Sequence, residues 1–130
     1  MEIRPATKAD WGAIVALIKQ YPEVLMQDHL PEPEEFFVAE EGGHIVGCCA
    51  LEIYSKRLAE IRSLAVAKDY QGKGIGTALI TRCLDKANAK NIHDVLTITS
   101  TLPLFERQGF GTFKNEKFAL IKVLSSSSDT

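Results

Sequence analysis

The sequence predicts a single mixed α/β domain, with helices packed on one mainly antiparallel sheet. Three observations predict it. The chain has 130 residues, 45% of them hydrophobic and 25% charged, enough to close one core without metal or disulfide staples. Strand-like runs flank a Glu-Glu-Gly-Gly turn in "EFFVAEEGGHIVGCCALEIYS", which is a hairpin pattern. A helical stripe then begins behind the glycine-rich segment "QGKGIG".

Each element follows in order. "EIRPAT" opens as a short alternating strand, and Thr7 is the N-cap of a helix over residues 9–19, where Trp11, Ile14, Val15 and Ile18 recur at helical spacing. Pro22, Pro31 and Pro33 punctuate the next stretch, so residues 21–34 read as a loop or broken helix able to shape a pocket. The hairpin comes next, and "RLAEIRSLAVA" is a third strand. From Gly74 or Gly76 to about Lys90, Ile75, Leu79, Cys83 and Ala87 form one stripe, widened by Ile80 and Leu84, with Thr81, Arg82, Asp85 and Lys86 opposite. "HDVLTITS" is a strand, "PLFERQGF" a short helix ending at Gly109, and "KFALIKVL" a last strand. The domain is expected over residues 1–124, with a polar tail at 125–130.

Several function classes are disfavoured. No apolar run approaches the roughly 20 residues of a membrane span, and "MEIRPATKAD" lacks a secretory pattern, so a cytoplasmic location away from membranes is expected. A net charge of -2 argues against a nucleic-acid surface. Cys48, Cys49 and Cys83 are odd in number and show no metal-ligand spacing, so they read as small buried hydrophobes, with no metal site and no disulfide. Cys48 and Cys49 point to opposite faces of a strand, so at most one lines a cleft, which disfavours a ping-pong thiol mechanism. His29, His44 and His93 are scattered over a loop, a turn and a strand edge and are read as surface residues. Residues 21–43 contain no Lys or Arg but carry Glu23, Asp28, Glu32, Glu34, Glu35, Glu40 and Glu41. That stretch is either a solvated surface or a field that attracts a cationic substrate.

Gly72, Gly74 and Gly76 stand at alternate positions ahead of the second helix. A helix N-terminus offers unpaired N–H groups and partial positive charge, and glycines clear the approach to it. One glycine suffices for a turn; three at this spacing point to a phosphate. The P-loop pattern fails, because Lys73 follows the first glycine and no Lys precedes Thr77. The dinucleotide pattern GxGxxG fails too: the third glycine comes one residue early, and the strand ahead is read as part of an antiparallel run rather than a βαβ unit.

Gln71-Gly72-Lys73-Gly74-Ile75-Gly76, with "AEIRSLAV" upstream and "LFERQGF" downstream, resembles the signature of the GNAT superfamily of acyl-CoA-dependent N-acyltransferases. The similarity covers nearly the whole chain and comes closest to the amino-acid acetyltransferase branch, which includes the acetyltransferase module of N-acetylglutamate synthases. It implies a GNAT-type domain, its mixed, mainly antiparallel sheet flanked by helices on both faces and its fourth strand splayed from the fifth. It also implies acetyl-CoA as co-substrate, its pyrophosphate held by the backbone of Gln71, Gly72, Lys73, Gly74, Ile75 and Gly76 with Thr77 adjoining. The pantetheine arm would pair with the main chain of Leu64, Ala65 and Val66, and Phe105 would flank the thiol end.

The implied reaction is acetyl transfer to the primary amine of a small molecule, an amino acid leading, by direct transfer in a ternary complex. An alkyl amine with a pKa of about 10 is mostly ammonium at neutral pH and needs a base. Glu60 resembles the strand glutamate that plays this part in some GNAT enzymes; an ion pair with Arg62, which shares its strand face, is the plain structural alternative. A backbone N–H near Val66 resembles the family's donor to the acyl oxygen. Many members carry a Tyr as thiol acid where this chain has Phe105, leaving water, Tyr54 or Tyr70 as substitutes. Arg62, with Arg57 nearby, is the candidate for binding a substrate carboxylate, although 99–102, "TSTL", lacks the Arg expected for glutamate. Acetylation of a protein or peptide amine and a non-catalytic acyl-CoA sensor are the alternatives. "KFALIKVL" is a possible homodimer edge.

Overall fold

The computed structural model describes residues 1–111 and Lys122. They fall in two compact units, Met1–Ser100 and Thr101–Thr130. In the first unit, β1 (Glu2–Pro5), β2 (Phe36–Glu41), β3 (His44–Ile53), β4 (Leu58–Val66) and β5 (Asp94–Thr97) form one sheet in the order β1-β2-β3-β4-β5. All neighbours are antiparallel except β4 and β5, which run parallel.

The β2–β3 hairpin closes through Gly42 and Gly43, at φ 56° and 81°. Two successive left-handed residues give the primed turn whose twist matches the strands, and glycine takes that conformation without a Cβ penalty. Strand periodicity then sorts the core. Phe36, Val38, Cys48, Ala50 and Ala65 face α1 (Trp11–Ile18), where they bury Ile14, Leu17 and Ile18. The opposite face meets α2 (Ile75–Ala89): the Arg82 guanidinium lies 4.9 Å over the Phe37 ring, and the Cys83 and Cys49 sulfurs are 3.8 Å apart. Helices therefore cover both faces, and Cys48 and Cys49 point to opposite sides. The cap at Thr7 opens a 3-10 turn, Lys8–Asp10, rather than α1 itself. Asp10 closes that turn by accepting the Thr7 N–H at 2.8 Å, so α1 starts later than the spacing of its apolar residues suggests.

One sequence expectation is corrected. β4, α2 and β5 do form a βαβ unit, since β4 is parallel to β5. A strand has two edges, and the antiparallel run through β2 and β3 fixes the direction of pairing on only one of them. The dinucleotide pattern still fails on its glycine spacing.

β4 changes character midway. Its pairing with β5 runs from Leu58↔Asp94 to Ile61↔Thr97, where β5 ends, whereas β4 continues to Val66. On its other edge Ala50↔Arg62 is followed by Cys48↔Ala65, so Cys49 alone opposes Ser63 and Leu64. This is a β-bulge, with Ser63 at φ 58°. The left-handed conformation costs a non-glycine residue about 1–2 kcal/mol, and such strain clusters where function needs it. Pairing with β5 thus stops where the bulge begins, which is the splay expected of these strands.

In the second unit α3 (Leu102–Glu106) carries Pro103 in its first turn and is followed by Gly109 at φ 91°. Phe105 is buried and packs edge-on against Phe110 with ring centroids 5.3 Å apart. "KFALIKVL", apart from Lys122, lies outside the described residues, as do the dimer edge expected of it and the polar tail. Among the described residues no helix is long and apolar enough to cross a membrane.

Candidate active site

From β4 the chain turns through Lys68–Tyr70 into the glycine segment. Gly72 and Gly74 have φ 76° and 84°. Gly74 is the N-cap of α2 and no side chain caps the helix; the first helical bond runs from the Ala78 N–H to the Gly74 carbonyl at 3.0 Å. The N–H groups of Ile75, Gly76 and Thr77 therefore have no intrahelical acceptor. A Cβ built at Gly72 or Gly74 meets nothing within 4 Å. The left-handed backbone explains why both are glycine, and the open space in front of them is where an anion can approach. Ile75 contributes only main chain there, because its side chain is buried against Gly47. Gln71, Lys73 and Thr77 are exposed around the segment, and the Lys73 ammonium lies 5.4 Å from the Tyr70 ring centroid.

The free edge of β4 leads into this segment. The Ala67 N–H bonds the Val46 carbonyl at 2.8 Å, so the Val66 carbonyl points the other way. It accepts from the Tyr21 hydroxyl at 2.5 Å and from the Gln71 side-chain amide at 3.1 Å, and that amide also donates to the Tyr21 oxygen at 3.0 Å. The Ala65 side chain belongs to the α1 core, leaving its main chain to serve the site. Tyr21 was not singled out by sequence reasoning; its only signal is its place between the end of α1 and Pro22.

Glu60 and Arg62 share the α1 face of the sheet, as their spacing requires, but they do not pair with each other. Arg62 donates to Glu52 at 2.5 Å, to the His29 carbonyl at 3.0 Å and to the Met26 sulfur at 3.5 Å. Glu60 accepts instead from the Tyr54 hydroxyl at 2.5 Å. Register explains the exchange: Glu52 lies directly opposite Glu60 and diagonal to Arg62, within reach of a long side chain. Tyr54 is half exposed, and partial desolvation of its hydroxyl, then the hydrogen bond to Glu60, push the phenol above its usual range, so it holds its proton. Glu52 could have been found in the sequence only by knowing this register. Arg57 is exposed in the β3–β4 turn. Part of the acidic segment has structural partners: Glu35 accepts the Glu32 N–H at 2.8 Å, Glu40 pairs with Arg4 at 2.9 Å, and Glu41 lies 3.5 Å from the N-terminal ammonium. All three histidines are exposed.

Residues 3–110 match the acetyltransferase (GNAT) family. The chain belongs to the GNAT family. An uncharacterized N-acetyltransferase of Chlorobaculum tepidum is 33% identical over 122 residues, covering 89% of this chain and 79% of the relative. An amino-acid acetyltransferase of Mycobacterium tuberculosis is 34% identical over 116 residues, 83% and 67% of the two chains. Among solved structures, Rv2747 from Mycobacterium tuberculosis in complex with CoA and NLQ superposes with a TM-score of 0.82 at 33% identity, over 87% of this chain and 73% of that one. N-acetylglutamate synthase from Neisseria gonorrhoeae, complexed with CoA and N-acetyl-glutamate, gives 0.77 at 30% identity over 88% of this chain; the match spans only 29% of that longer protein.

This GNAT chain is accordingly an acetyl-CoA-dependent N-acetyltransferase. Its residues fit the co-substrate. A pyrophosphate needs N–H donors and room, and the uncapped start of α2 supplies the first while Gly72 and Gly74 leave the second. The cysteines stand apart from this chemistry. Burial pushes the Cys48 thiol up to about 12, and contact with Cys83 followed by burial raises Cys49 well above the ordinary thiol range. Cys83 is buried too.

Proposed function

We propose that this GNAT enzyme acetylates the primary amine of a small molecule, with an amino acid as the leading acceptor class, by direct transfer while both substrates are bound. The observation that carries the reading is the placement of Glu60. It sits on β4, the strand whose continuation forms the open edge and the entry to the glycine segment, and it shares the α1 face with Arg62, Glu52 and Tyr54.

When bound, acetyl-CoA supplies the activated acyl thioester. The N–H groups at the start of α2 bind its pyrophosphate, and the main chain of Leu64, Ala65 and Val66 aligns the arm along β4. A backbone N–H near Val66 donates to the acyl oxygen. Glu60 takes a proton from the acceptor ammonium, directly or through one water, so that the neutral amine can attack. Tyr54 donates to Glu60 and keeps the carboxylate in place. The departing thiolate takes its proton from water. The buried, high-pKa cysteines support direct transfer over a thiol relay.

An amino-acid acceptor is supported by the similarity to the Mycobacterium tuberculosis amino-acid acetyltransferase and by Arg62. A guanidinium carries five N–H groups, so Arg62 keeps donors for a carboxylate after meeting Glu52, His29 and Met26. The test is thiol release from acetyl-CoA against amino acids, polyamines, aminoglycosides, arylamines and short peptides. Release is expected with amino acids. Release confined to another panel overturns the acceptor class, and silence on every panel overturns the catalytic assignment.

A further inference from the structure

Tyr21 joins three parts of the molecule that the sequence places far apart. Its ring packs against the α1 core, its hydroxyl donates to the Val66 carbonyl on the open edge of β4, and its oxygen accepts from Gln71, the first residue of the glycine segment. Gln71 also donates to the same carbonyl, so the three groups close a ring of hydrogen bonds. The two donors are unequal. Gln71 is exposed, whereas Tyr21 is partly buried and anchored by its ring.

We propose that Tyr21 is a positioning residue for the acyl donor. It fixes the direction of the Val66 carbonyl and the placement of Gln71, and so aligns the strand edge with the start of the phosphate-binding backbone. Gln71 is the partner that yields: a ligand N–H approaching Val66 displaces the exposed amide and finds the carbonyl still oriented by the anchored phenol. A carbonyl has two lone pairs, which the phenol and the ligand then share. The inference rests on the assignment of acetyl-CoA to this edge. It goes beyond that assignment by giving a role in donor binding to a residue outside both the glycine signature and β4.

The test is Tyr21→Phe, which keeps the packed ring and removes only the hydroxyl. A hydrogen bond of ordinary net strength corresponds to about a three- to tenfold change in an equilibrium constant. CoA affinity by calorimetry and KM for acetyl-CoA are expected to weaken by that factor, while kcat and the melting temperature move much less. Affinity and KM equal to wild type, or a tighter Kd, overturn the proposal. A wild-type protein that fails to bind CoA overturns the donor assignment itself and this inference with it. Tyr21→Ala separates packing from positioning: it should lower the melting temperature as well as the affinity, and an affinity no weaker than that of the Phe variant with the fold intact is consistent only with the hydroxyl as the working group.

Discussion

Gly74→Asp and Gly74→Ala, set beside Gly43→Ala, separate the backbone cost of the glycine segment from its binding role. Gly43 and Gly74 have φ 81° and 84°, and a Cβ at either meets nothing within 4 Å. Each alanine variant thus incurs the same left-handed strain and no clash, about 1–2 kcal/mol, or several degrees of melting temperature in a chain of this size. At Gly74 the aspartate is gentler on the fold than alanine, because aspartate is among the residues that better tolerate the left-handed region. Its effect on the ligand is opposite in sense. The carboxylate repels a pyrophosphate; at about 4 Å a like-charge pair costs ~1 kcal/mol in bulk water and ~4 kcal/mol near a protein surface. Since Gly74 is exposed, the lower figure applies, and CoA affinity should fall at least about fivefold. Calorimetry with CoA and thermal melts on the three variants read both axes. Gly74→Asp binding CoA as tightly as wild type refutes the anion-site reasoning, and so does a comparable loss in Gly43→Ala.

Other outcomes follow from the same geometry. Glu60→Gln should lower kcat by about 10²- to 10⁴-fold, the usual worth of a positioned base; a pH–rate profile identical to wild type removes it from that role. Alkylation of the native enzyme at pH 8 should leave Cys48, Cys49 and Cys83 unmodified and activity intact, whereas inactivation by labelling of a single thiol contradicts direct transfer. Asp10, hydrogen-bonded by Arg4 at 2.8 and 3.0 Å, has its carboxyl lowered from 3.8 to about 2. Its folded pKa lies below the unfolded one, so its contribution of about 2 kcal/mol is present above pH 4 and is lost as pH falls from about 4 to 2. Asp10→Asn should flatten stability over that window in denaturant titrations, and an unchanged acid limb assigns it to other groups.

What could be read from the sequence was whatever depends on local periodicity or on backbone freedom. The hairpin glycines, the α2 stripe and the N-cap glycine are each set by a few neighbouring residues, and they appear in the structure where the spacing puts them. What was not legible depends on which residues oppose one another across strands. The Glu52–Arg62 pair follows from a register set at the β3–β4 turn, and the bulge farther along β4 falls at Ser63, where serine gives no warning of a left-handed conformation as glycine does. The Val66 carbonyl acts through a main-chain atom that every residue carries. Tyr21 reaches it from 45 positions away, a separation at which no pattern in the chain links the two. The parallel pairing of β4 with β5 was missed for a related reason: it belongs to an edge that the antiparallel run leaves unspecified.

The outer edge of β4 also bears on what else could pair with this molecule. Beyond Ile61, where β5 ends, residues 62–66 of β4 have no strand neighbour on their outer edge among the described residues, and such an edge is the kind of template on which a strand from another chain can grow. That edge is short, and at its far end the Val66 carbonyl is already occupied by donors from the same chain. On the role proposed for Tyr21, the two side chains that set the Val66 carbonyl for a small ligand also occupy the atom through which an added strand would pair at that point.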